Sequence, residues 1–470
     1  MENRLKAVII AVVVVIAGVA TYFVLVSAPS SPARSPSSSA SCPMSGSSIS
    51  GNLTDGNWTT YHGNNSRTGD ESMGNIATVH RSWAGPTGLN GQVYAEPLVC
   101  GDAVFVASEA DSVYAVNATT GAILWQKNLG TPVPGSALPC GDVNPSGITG
   151  TPVIDLATST LYVVAFLDLN PLQHVLFGLN IENGSVRSRV VVDPAGADPT
   201  VEQQRGALAL ANGVVYIPYG GLYGDCGAYH GWVVGVPTNG SGGLLSYRVP
   251  TGRAGGIWGP SGITVAANGD LYVATGNSDA TTAFDFGDAV IELSPSLQEL
   301  QYFAPTNWAN LNSGDVDLGT VAPTVLPNGD VFQVGKEGVG YLLSGTNLGG
   351  IGGQLYSTTI CASAYGGTAR VGQAILVPCT DGVVKVIVGA ATLTVAWQTS
   401  NFDAGAPIVT GDIVWAVNIS TGDLLGFNLS TGHELYAFPL GSVDHFITPA
   451  AAPGSLFVAA GDQLEAFSLT

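Results

Sequence analysis

Residues 95–125 read AEPLVCGDAVFVASEADSVYAVNATTGAILW and contain four short apolar segments separated by turn residues. The segments are Pro97–Val99, Ala103–Ala107, Ser112–Val116 and Ala122–Trp125. Each is bounded by Gly, Asp, Asn or Thr and is rich in β-branched or aromatic residues, which is typical of a four-stranded antiparallel meander. A single meander leaves one face of its sheet uncovered, so this stretch predicts further units of the same kind that pack against it.

The same pattern returns along the chain at a period of about 40 to 55 residues, which is the range of propeller blades. Seven further units follow the first: Gly150–Arg187, Gly206–Tyr247, Ser261–Gln301, Ala322–Leu355, Thr368–Trp397, Ala406–Phe438 and Thr448–Phe467. The last unit lacks a fourth strand, and Val79–Trp83 (VHRSW) near the N-terminus ends in Trp as a fourth strand does. We expect this segment to complete the last blade, because closure of the ring removes exposed sheet edges. The sequence therefore predicts an all-β, eight-bladed β-propeller of four-stranded antiparallel blades.

The N-terminal region has a different composition. Ala7–Val26 contains no charged residue and follows Arg4 and Lys6. About twenty apolar residues can cross a bilayer as a helix, and basic residues on the short N-terminal side favour a cytoplasmic N-terminus. Residues 1–28 are predicted to be a cytoplasmic tip and single-pass transmembrane anchor, with a cleaved signal peptide as the alternative. Both predictions place the propeller outside the cytoplasm, and the anchor would hold it at the cell membrane.

A Ser/Pro-rich segment joins this region to the propeller. Residues 29–50 read PSSPARSPSSSASCPMSGSSIS, which is too poor in apolar side chains to fold and is predicted to be an extended linker. Residues 51–470 are predicted to form the propeller domain. The whole chain of 470 residues carries 34 acidic and 14 basic side chains, for a formal net charge of −20. This balance argues against nucleic acid as a partner.

Covalent features also follow from the sequence. Six cysteines in an exported chain predict disulfides. Cys361–Cys379 and Cys100–Cys140 are candidate pairs within or between neighbouring units, with Cys42 and Cys226 remaining, and the sequence alone leaves the connectivity open. Eight Asn-x-Ser/Thr sequons, from Asn52 to Asn428, would make the protein a glycoprotein in a host that glycosylates them.

The best-formed repeat resembles a known family. Val104–Trp125 is similar to the motif YVxxxDGxVYAxNxxTGxxxW of pyrroloquinoline quinone (PQQ) propellers, and Trp58–Gly69 (WTTYHGNNSRTG) resembles the segment with which many such chains begin. The resemblance implies a quinoprotein alcohol dehydrogenase-like propeller fold. That superfamily includes dehydrogenases that bind PQQ with calcium, and also non-catalytic scaffolds such as outer-membrane assembly factors and sensor domains.

Four residues resemble the site of the dehydrogenases. Trp258 (in GIWGPSG) corresponds to the Trp on which the quinone stacks, and a flat indole suits a planar ring. Asn277 (in LYVATGN) falls at the position of a calcium-ligating Asn, and calcium takes oxygen ligands and acts as a Lewis acid. Asp317 (in GDVDLGTVAPTVL) lies where those enzymes carry the catalytic Asp next to the metal. Lys336 (in QVGKEGVGYLL) resembles the basic residue that contacts the quinone oxygens.

The resemblance implies a role for each of these side chains. Asp317 would accept the substrate hydroxyl proton as general base and contribute to the metal site, and Lys336 would stabilise charge on the reduced ring. The family's Glu ligand from the third unit is absent, since that segment reads GGLYGDCGAYHGWVV, and Asp225 is the carboxylate that could replace it. The adjacent-cysteine disulfide of many of these enzymes is absent too, because no CC occurs.

The residues leave three functions open. The first is a PQQ- and calcium-dependent dehydrogenase for an alcohol or polyol, which passes electrons to a separate acceptor because no CxxCH haem motif is present. The second is a non-catalytic scaffold that binds an extracellular protein or glycan. The third is a propeller that holds calcium without quinone, in the acidic loops Asp279–Asp288 and Asp315–Asp317. The alternative roles are structural: Trp258 as a packing residue, Asp317 as a turn cap, and Lys336 with Glu337 as a solvated hairpin tip.

Overall fold

The computed structural model describes Cys42, residues 56–85 and residues 88–470 of the chain. Within these residues the strands form eight separate sheets, and each sheet contains a four-stranded antiparallel blade. Contacts between first strands join blades 2 and 3, blades 3 and 4, blades 6 and 7, and the last blade to the first. The predicted eight-bladed propeller is therefore confirmed, with the first strand of each blade lining a central channel.

The strands of a blade are named A to D in chain order. Blade 1 contains Leu98–Cys100, Ala103–Ser108, Ser112–Asn117 and Ile123–Asn128. Blade 2 contains Val153–Asp155, Thr160–Leu167, Gln173–Asn180 and Val186–Val191. Blade 3 contains Ala209–Ala211, Val214–Gly221, Trp232–Pro237 and Leu245–Arg248, with the short strand Glu202–Gln203 added to strand B. Blade 4 contains Thr264–Val265, Leu271–Ala274, Val290–Leu293 and Glu299–Ala304, with Gly350–Ile351 added in parallel to strand D.

The second half of the ring repeats this plan. Blade 5 contains Thr324–Val325, Val331–Gln333, Val339–Leu343 and Tyr356–Thr359. Blade 6 contains Ala369–Val371, Ala374–Cys379, Gly382–Gly389 and Thr392–Gln398. Blade 7 contains Ile408–Thr410, Ile413–Asn418, Asp423–Asn428 and Glu434–Pro439, with Asp70–Glu71 added in parallel to strand A. Blade 8 contains Ala450–Ala452, Ser455–Ala460, Gln463–Leu469 and Val79–Ala84. The described helices are the α-helix Trp308–Gly314 and the 3-10 turns Tyr61–Gly63, Gly135–Ala137 and Leu318–Thr320.

The ring closes through a strand from the N-terminal side. Val79–Ala84 pairs antiparallel with Gln463–Leu469 and supplies strand D of blade 8. An ion pair of 2.9 Å between Arg81 Nε and Glu465 Oε2 joins the same two strands. The expectation from the sequence is confirmed, and the physical reason is that the last blade would otherwise expose the unpaired edge of strand C.

The repeat motif is explained by the packing between blades. The buried side chains form clusters that bridge neighbouring blades, so the core is divided around the ring. The Trp at the end of the motif lies on the C–D turn of the next blade, where Trp125 Nε1 donates to the Ile181 carbonyl at 2.9 Å. Gly184 in that turn has a φ of 68°, and a Cβ there would lie 2.7 Å from the indole of Trp125. Trp397 and Gly432 repeat the arrangement between blades 6 and 7.

A segment defined as the channel plug, residues 58–69, crosses the channel. Its backbone bonds to strand A of blade 1 at Val99 and of blade 7 at Val409. Arg67 is buried and donates to the carbonyls of Leu208 and Ile263 at 2.9 and 3.1 Å. The plug therefore ties the inner strands of distant blades together by hydrogen bonds.

The disulfides are Cys42–Cys100, Cys140–Cys226 and Cys361–Cys379. The predicted pair Cys361–Cys379 is confirmed, and the predicted pair Cys100–Cys140 is wrong. Cys100 ends strand A of blade 1, whereas Cys140 lies in the connection between strand D of blade 1 and strand A of blade 2. These two positions are at opposite ends of the blades. Cysteines of neighbouring repeat units are therefore not necessarily close in space.

The predicted anchor (1–28) and, except for Cys42, the predicted linker (29–50) lie outside the described residues. Among the residues that the structure does describe, none belongs to a helix with the length and apolar character needed to cross a membrane.

Candidate functional site

The candidate site is a cavity at one end of the channel, named here the mouth cavity. It has a volume of about 680 Å³, within the usual range for sites that bind small molecules. Its walls come from B–C turns and from connections between strand D of one blade and strand A of the next, so all of it lies on one face of the ring. The lining residues are Asp142, Arg205, Gly221, Leu222, Tyr223, Gly224, Asp225, Tyr229, Trp258, Asp315, Asp317, Lys336, Tyr365, His445 and Phe446.

The structure brings four of the five predicted site residues to this cavity. Trp258, Asp317, Lys336 and Asp225 line it, although they come from three different blades and their connections. Asn277 lies beside Asp317, because its backbone N–H donates to Asp317 Oδ1 at 2.7 Å. These placements agree with the geometry that the resemblance implies, and the catalytic and ligand roles stay predictions.

Glycines allow the aromatic and acidic residues to approach each other. A Cβ at Gly220 would lie 2.7 Å from Cβ of Trp258. A Cβ at Gly276 would lie 2.9 Å from both Asp317 Oδ1 and Trp258 Nε1. The backbone can therefore pack directly against Trp258 at strand B of blade 3 and at the B–C turn of blade 4. These contacts hold Trp258 at the cavity wall.

Lys336 forms the centre of the charged wall. Its ammonium lies 2.8 Å from Asp317 Oδ2 and 2.9 Å from Asp315 Oδ1, and it donates to the Asp315 carbonyl at 3.1 Å. The same nitrogen lies 5.8 Å from the centroid of the Trp258 ring, within range of a cation–π interaction. The side chain of Lys336 is 17% exposed and that of Asp317 is 4% exposed. The alternative of a solvated hairpin tip is therefore wrong for Lys336, which is in a mostly buried ion pair.

Burial and charge set the protonation of this pair. Burial raises the pKa of the Asp317 carboxyl above its ordinary value, and the neighbouring Lys336 opposes that shift only in part. Burial lowers the pKa of the Lys336 ammonium, but the Asp317 and Asp315 carboxylates outweigh burial and raise it above its ordinary value. Lys336 therefore remains a cation at neutral pH, while Asp317 is a stronger base than an exposed Asp.

The predicted metal ligands are engaged in other contacts. Both oxygens of Asp317 accept hydrogen bonds, from Lys336 and from the Asn277 backbone, and Asp225 Oδ1 accepts from the Tyr229 hydroxyl at 2.6 Å. In the described chain, only Cys361, Cys379 and Asp381 bring three ligand atoms of His, Cys, Asp or Glu within 4.8 Å, and both of these sulfurs belong to a disulfide. The acidic loops Asp279–Asp288 and Asp315–Asp317 do not form such a group.

The opposite wall of the mouth cavity is centred on Phe446. Its ring centroid lies 6.1 Å from that of Trp258 and 6.2 Å from that of Tyr365. The guanidinium carbon of Arg205 lies 5.5 Å from the same ring. Phe446 has a φ of 65°, a left-handed conformation that is strained for a bulky residue. Strained residues of this kind are concentrated at functional sites.

Polar residues accompany Phe446 on this wall. Arg205 Nη2 lies 3.3 Å from Asp142 Oδ1, and His445 Nε2 lies 3.7 Å from Asp142 Oδ2. Burial lowers the pKa of His445, and Arg205 lowers it further while Asp142 raises it. The Cys140–Cys226 disulfide joins the connection that carries Asp142 to the turn that carries Asp225, so it links two parts of the cavity rim.

The sequence prediction missed the residues of this second wall. A usable signal was present, because Arg205, Tyr365 and Phe446 all stand within three residues before a repeat unit, at Gly206, Thr368 and Thr448. Trp258 stands at the same place before the unit that begins at Ser261. Considering the three residues before every repeat unit would have identified these residues.

Comparison with known proteins supports this reading of the fold. A family model described as outer membrane protein assembly factor BamB matches residues 82–289. The fold is similar to that of a europium-containing methanol dehydrogenase, with a TM-score of 0.69 and 14% identity over 88% of this chain and 98% of that chain. By repeat and by fold, the chain resembles PQQ-type β-propellers. No curated protein sequence matches it.

Two further structures show the range of this fold. The PQQ-like propeller is similar to a quinohemoprotein alcohol dehydrogenase from Pseudomonas putida, with a TM-score of 0.68 and 14% identity over 88% of this chain and 80% of that chain. It is also similar to BamB from Moraxella catarrhalis, with a TM-score of 0.56 and 13% identity over 84% of this chain and 98% of that chain. At these identities the similarity establishes the fold, and the chemistry has to be argued from the mouth cavity.

Proposed function

We propose that the protein is a membrane-anchored, extracytoplasmic quinoprotein dehydrogenase that binds PQQ in the mouth cavity and oxidises an alcohol or polyol. The observation that carries the proposal is the position of Lys336, 5.8 Å from the Trp258 ring centroid and 2.8 Å from Asp317 Oδ2. An aromatic platform, a fixed cation and a buried carboxylate are the groups that alcohol oxidation on a planar quinone requires. The apolar segment Ala7–Val26 supports the anchored, extracytoplasmic location.

The residues present fit a planar quinone. Trp258 lines a cavity of about 680 Å³, and its indole is fixed by close backbone contacts at Gly220 and Gly276. Such a platform would hold a flat ring by stacking, and the positive charge of Lys336 would attract the ring oxygens. When bound, the quinone would supply the acceptor for the hydride that the substrate loses.

The residues do not fit calcium in the predicted ligand set. A divalent ion on Asp317 would lie next to the Lys336 ammonium, which is 2.8 Å from Oδ2 of that carboxylate. Like charges at such a distance repel strongly in a partly buried site. The Asn277 backbone N–H donates to Asp317 Oδ1 at 2.7 Å, so the other oxygen of this carboxylate is engaged as well. We therefore derive no step of the reaction through calcium.

The chain's own side chains have distinct tasks in this mechanism. Each oxygen of Asp317 accepts one hydrogen bond and retains a second lone pair, so Oδ2 can still accept the proton of a substrate hydroxyl. Burial raises the pKa of Asp317, which brings this base closer to neutral pH and makes proton transfer more favourable. Lys336 stays protonated and would stabilise negative charge that develops beside it.

A calorimetric titration of PQQ into the purified full-length chain tests the proposal. We expect saturable one-to-one binding that Trp258→Ala abolishes and that Trp258→Phe, which keeps an aromatic platform, weakens only partly. Absence of binding at tens of micromolar, an affinity weaker than about −6 kcal/mol, would refute a quinoprotein function.

One observation favours a second candidate, a scaffold that binds an extracellular protein or glycan. Tyr223 is 69% exposed at the rim of the mouth cavity, and exposed tyrosines are frequent anchors of binding surfaces. An array of defined glycans probed with the full-length chain would then show binding that Tyr223→Ser removes. Under the dehydrogenase proposal the same array gives no signal, and Tyr223→Ser leaves PQQ binding unchanged.

A further inference from the structure

The Lys336 ammonium has as many acceptors as it has N–H groups. An ammonium has three donors, and Lys336 Nζ has Asp317 Oδ2 at 2.8 Å, Asp315 Oδ1 at 2.9 Å and the Asp315 carbonyl at 3.1 Å. One carboxylate is buried and the other is mostly exposed. The group is therefore coordinated by oxygens on one side and faces the Trp258 ring on another, as a small bound cation would be.

The backbone holds this lysine in place. Its N–H donates to the Asp317 carbonyl at 2.8 Å. The preceding residue is Gly335, where a Cβ would lie 2.5 Å from the Asp317 carbonyl and 2.7 Å from Cα of Leu318. The B–C turn of blade 5 is thus packed directly against the segment that carries Asp317. Lys336 cannot withdraw its main chain from the acidic pair without breaking this contact.

We infer that the Lys336 ammonium is the resident cation of the mouth cavity and takes the place of a divalent metal, so that ligand binding at Trp258 does not depend on calcium. The part of this inference that concerns the ligand rests on the proposed function. The part that concerns the cation does not, because it can be tested without any quinone.

The first test measures the effect of calcium on thermal unfolding of the full-length chain. For each protein, the shift in Tm on adding calcium is measured with and without the additional substitution Asp317→Asn. The difference between these two shifts is the contribution of this site. We expect no contribution in the natural chain. We expect a gain of about 2 °C or more in Lys336→Met, because two carboxylates without their ammonium become free to bind the ion. Lys336→Arg, which keeps the positive charge, is the matched control and should show no gain.

Two results of this first test would overturn the inference. One is a calcium-induced gain in the natural chain that Asp317→Asn removes. The other is a Lys336→Met protein that unfolds cooperatively and yet gains nothing from calcium. Lys336→Gln provides a second uncharged variant if Lys336→Met does not fold.

The second test is the PQQ titration repeated in excess calcium and in a chelator. We expect dissociation constants within about twofold of each other for the natural chain, and binding about tenfold weaker in chelator for Lys336→Met, since the positive charge beside the Trp258 ring is lost. If the natural chain bound PQQ in excess calcium but not in chelator, the inference would be overturned and the proposed function would stand. Absence of binding in both solutions would refute the proposed function, and the thermal test would then decide the role of Lys336.

Discussion

The channel plug and the mouth cavity both place charged groups near the axis of the propeller, but they use them differently. In the plug, Arg67 donates four hydrogen bonds, to Thr60 Oγ1 and to the carbonyls of Tyr61, Leu208 and Ile263. Glu96 accepts from Trp58 Nε1 at 2.8 Å and from the backbone of the plug at 2.7 Å. In the mouth cavity, Lys336 and Asp317 also pair, but they line about 680 Å³ of open space.

This difference shows why buried charge alone does not identify a site. In the plug network the charged side chains Arg67 and Glu96 are buried and hydrogen-bonded, and the bonds of Arg67 join inner strands of different blades. The ion pair of the mouth cavity adjoins an aromatic ring and a volume large enough for a small molecule. We therefore assign stability to the plug and chemistry to the mouth, and the following predictions test that division in order of decreasing expected effect.

The largest effect concerns turnover. Asp317→Asn should lower the rate of alcohol oxidation, measured with an artificial electron acceptor, by about 10²- to 10⁴-fold, because an amide cannot act as general base. PQQ binding should persist, since Trp258 and Lys336 remain. Tyr223→Ser, on the rim of the same cavity, is the control and should retain turnover. A fully active Asp317→Asn protein would contradict the assignment of chemistry to the mouth.

The next largest effect concerns stability. Arg67→Met should destabilise the protein by about 3–5 kcal/mol, because buried carbonyls of the plug and of the segments leading into blades 3 and 4 lose its hydrogen bonds. Arg189→Met, at an exposed position of strand D in blade 2, should change stability by less than about 0.5 kcal/mol. Denaturant unfolding of both variants provides the measurement. An Arg67→Met protein as stable as Arg189→Met would show that the plug is not a structural element.

Two buried groups, His62 in the plug and Glu109 on the mouth face, should make stability depend on pH with opposite signs. Burial lowers the pKa of His62 in the plug to about 3, so its contribution to stability is complete above pH 6.5 and is lost as the pH falls toward 3. Burial raises the pKa of Glu109, in the B–C turn of blade 1 on the mouth face, to about 7. Its contribution is complete below pH 4.5 and is lost as the pH rises through 7.

Two variants separate these contributions. Glu109→Gln should remove a loss in the free energy of unfolding between pH 4.5 and 7 that is at most about 3 kcal/mol, and so flatten the fall in Tm over that range. His62→Gln should flatten the fall in Tm on the acidic side. The measurement is Tm against pH for each variant, relative to the natural chain. Differences that do not vary with pH would mean that neither group titrates in the folded state as burial requires.

The smallest effect concerns the backbone of the second wall. Phe446→Gly should be more stable than Phe446→Ala by about 1 kcal/mol, because a φ of 65° is strained for Ala and open to Gly. This order is the reverse of the usual preference for Ala over Gly. Both variants lose the ring that faces Trp258, so PQQ binding should weaken equally in the two. Greater stability of Phe446→Ala would show that the strain is absent.

Local sequence signals identified the architecture and one wall of the site. Alternating apolar segments and turn residues predicted the blades, and the final Trp of Val79–Trp83 indicated the strand that closes the ring. The resemblance at Trp258, Asp317 and Lys336 predicted residues that the structure does place in one cavity. The residues of the second wall, such as Phe446 and Arg205, were missed because only their position before a repeat unit marks them, and the closed ring is what brings them to the same cavity as Trp258.

The sequence by itself determined the repeat, the number of blades and the type of each side chain, because these follow from periodicities of a few residues within each strand and turn. Only the tertiary structure decided that Cys100 pairs with Cys42, that Phe446 opposes Trp258, and that the Lys336 ammonium is coordinated by Asp315 and Asp317. The physical reason is that a closed ring brings together turns from blades far apart in the chain, and no local pattern records which of these turns meet.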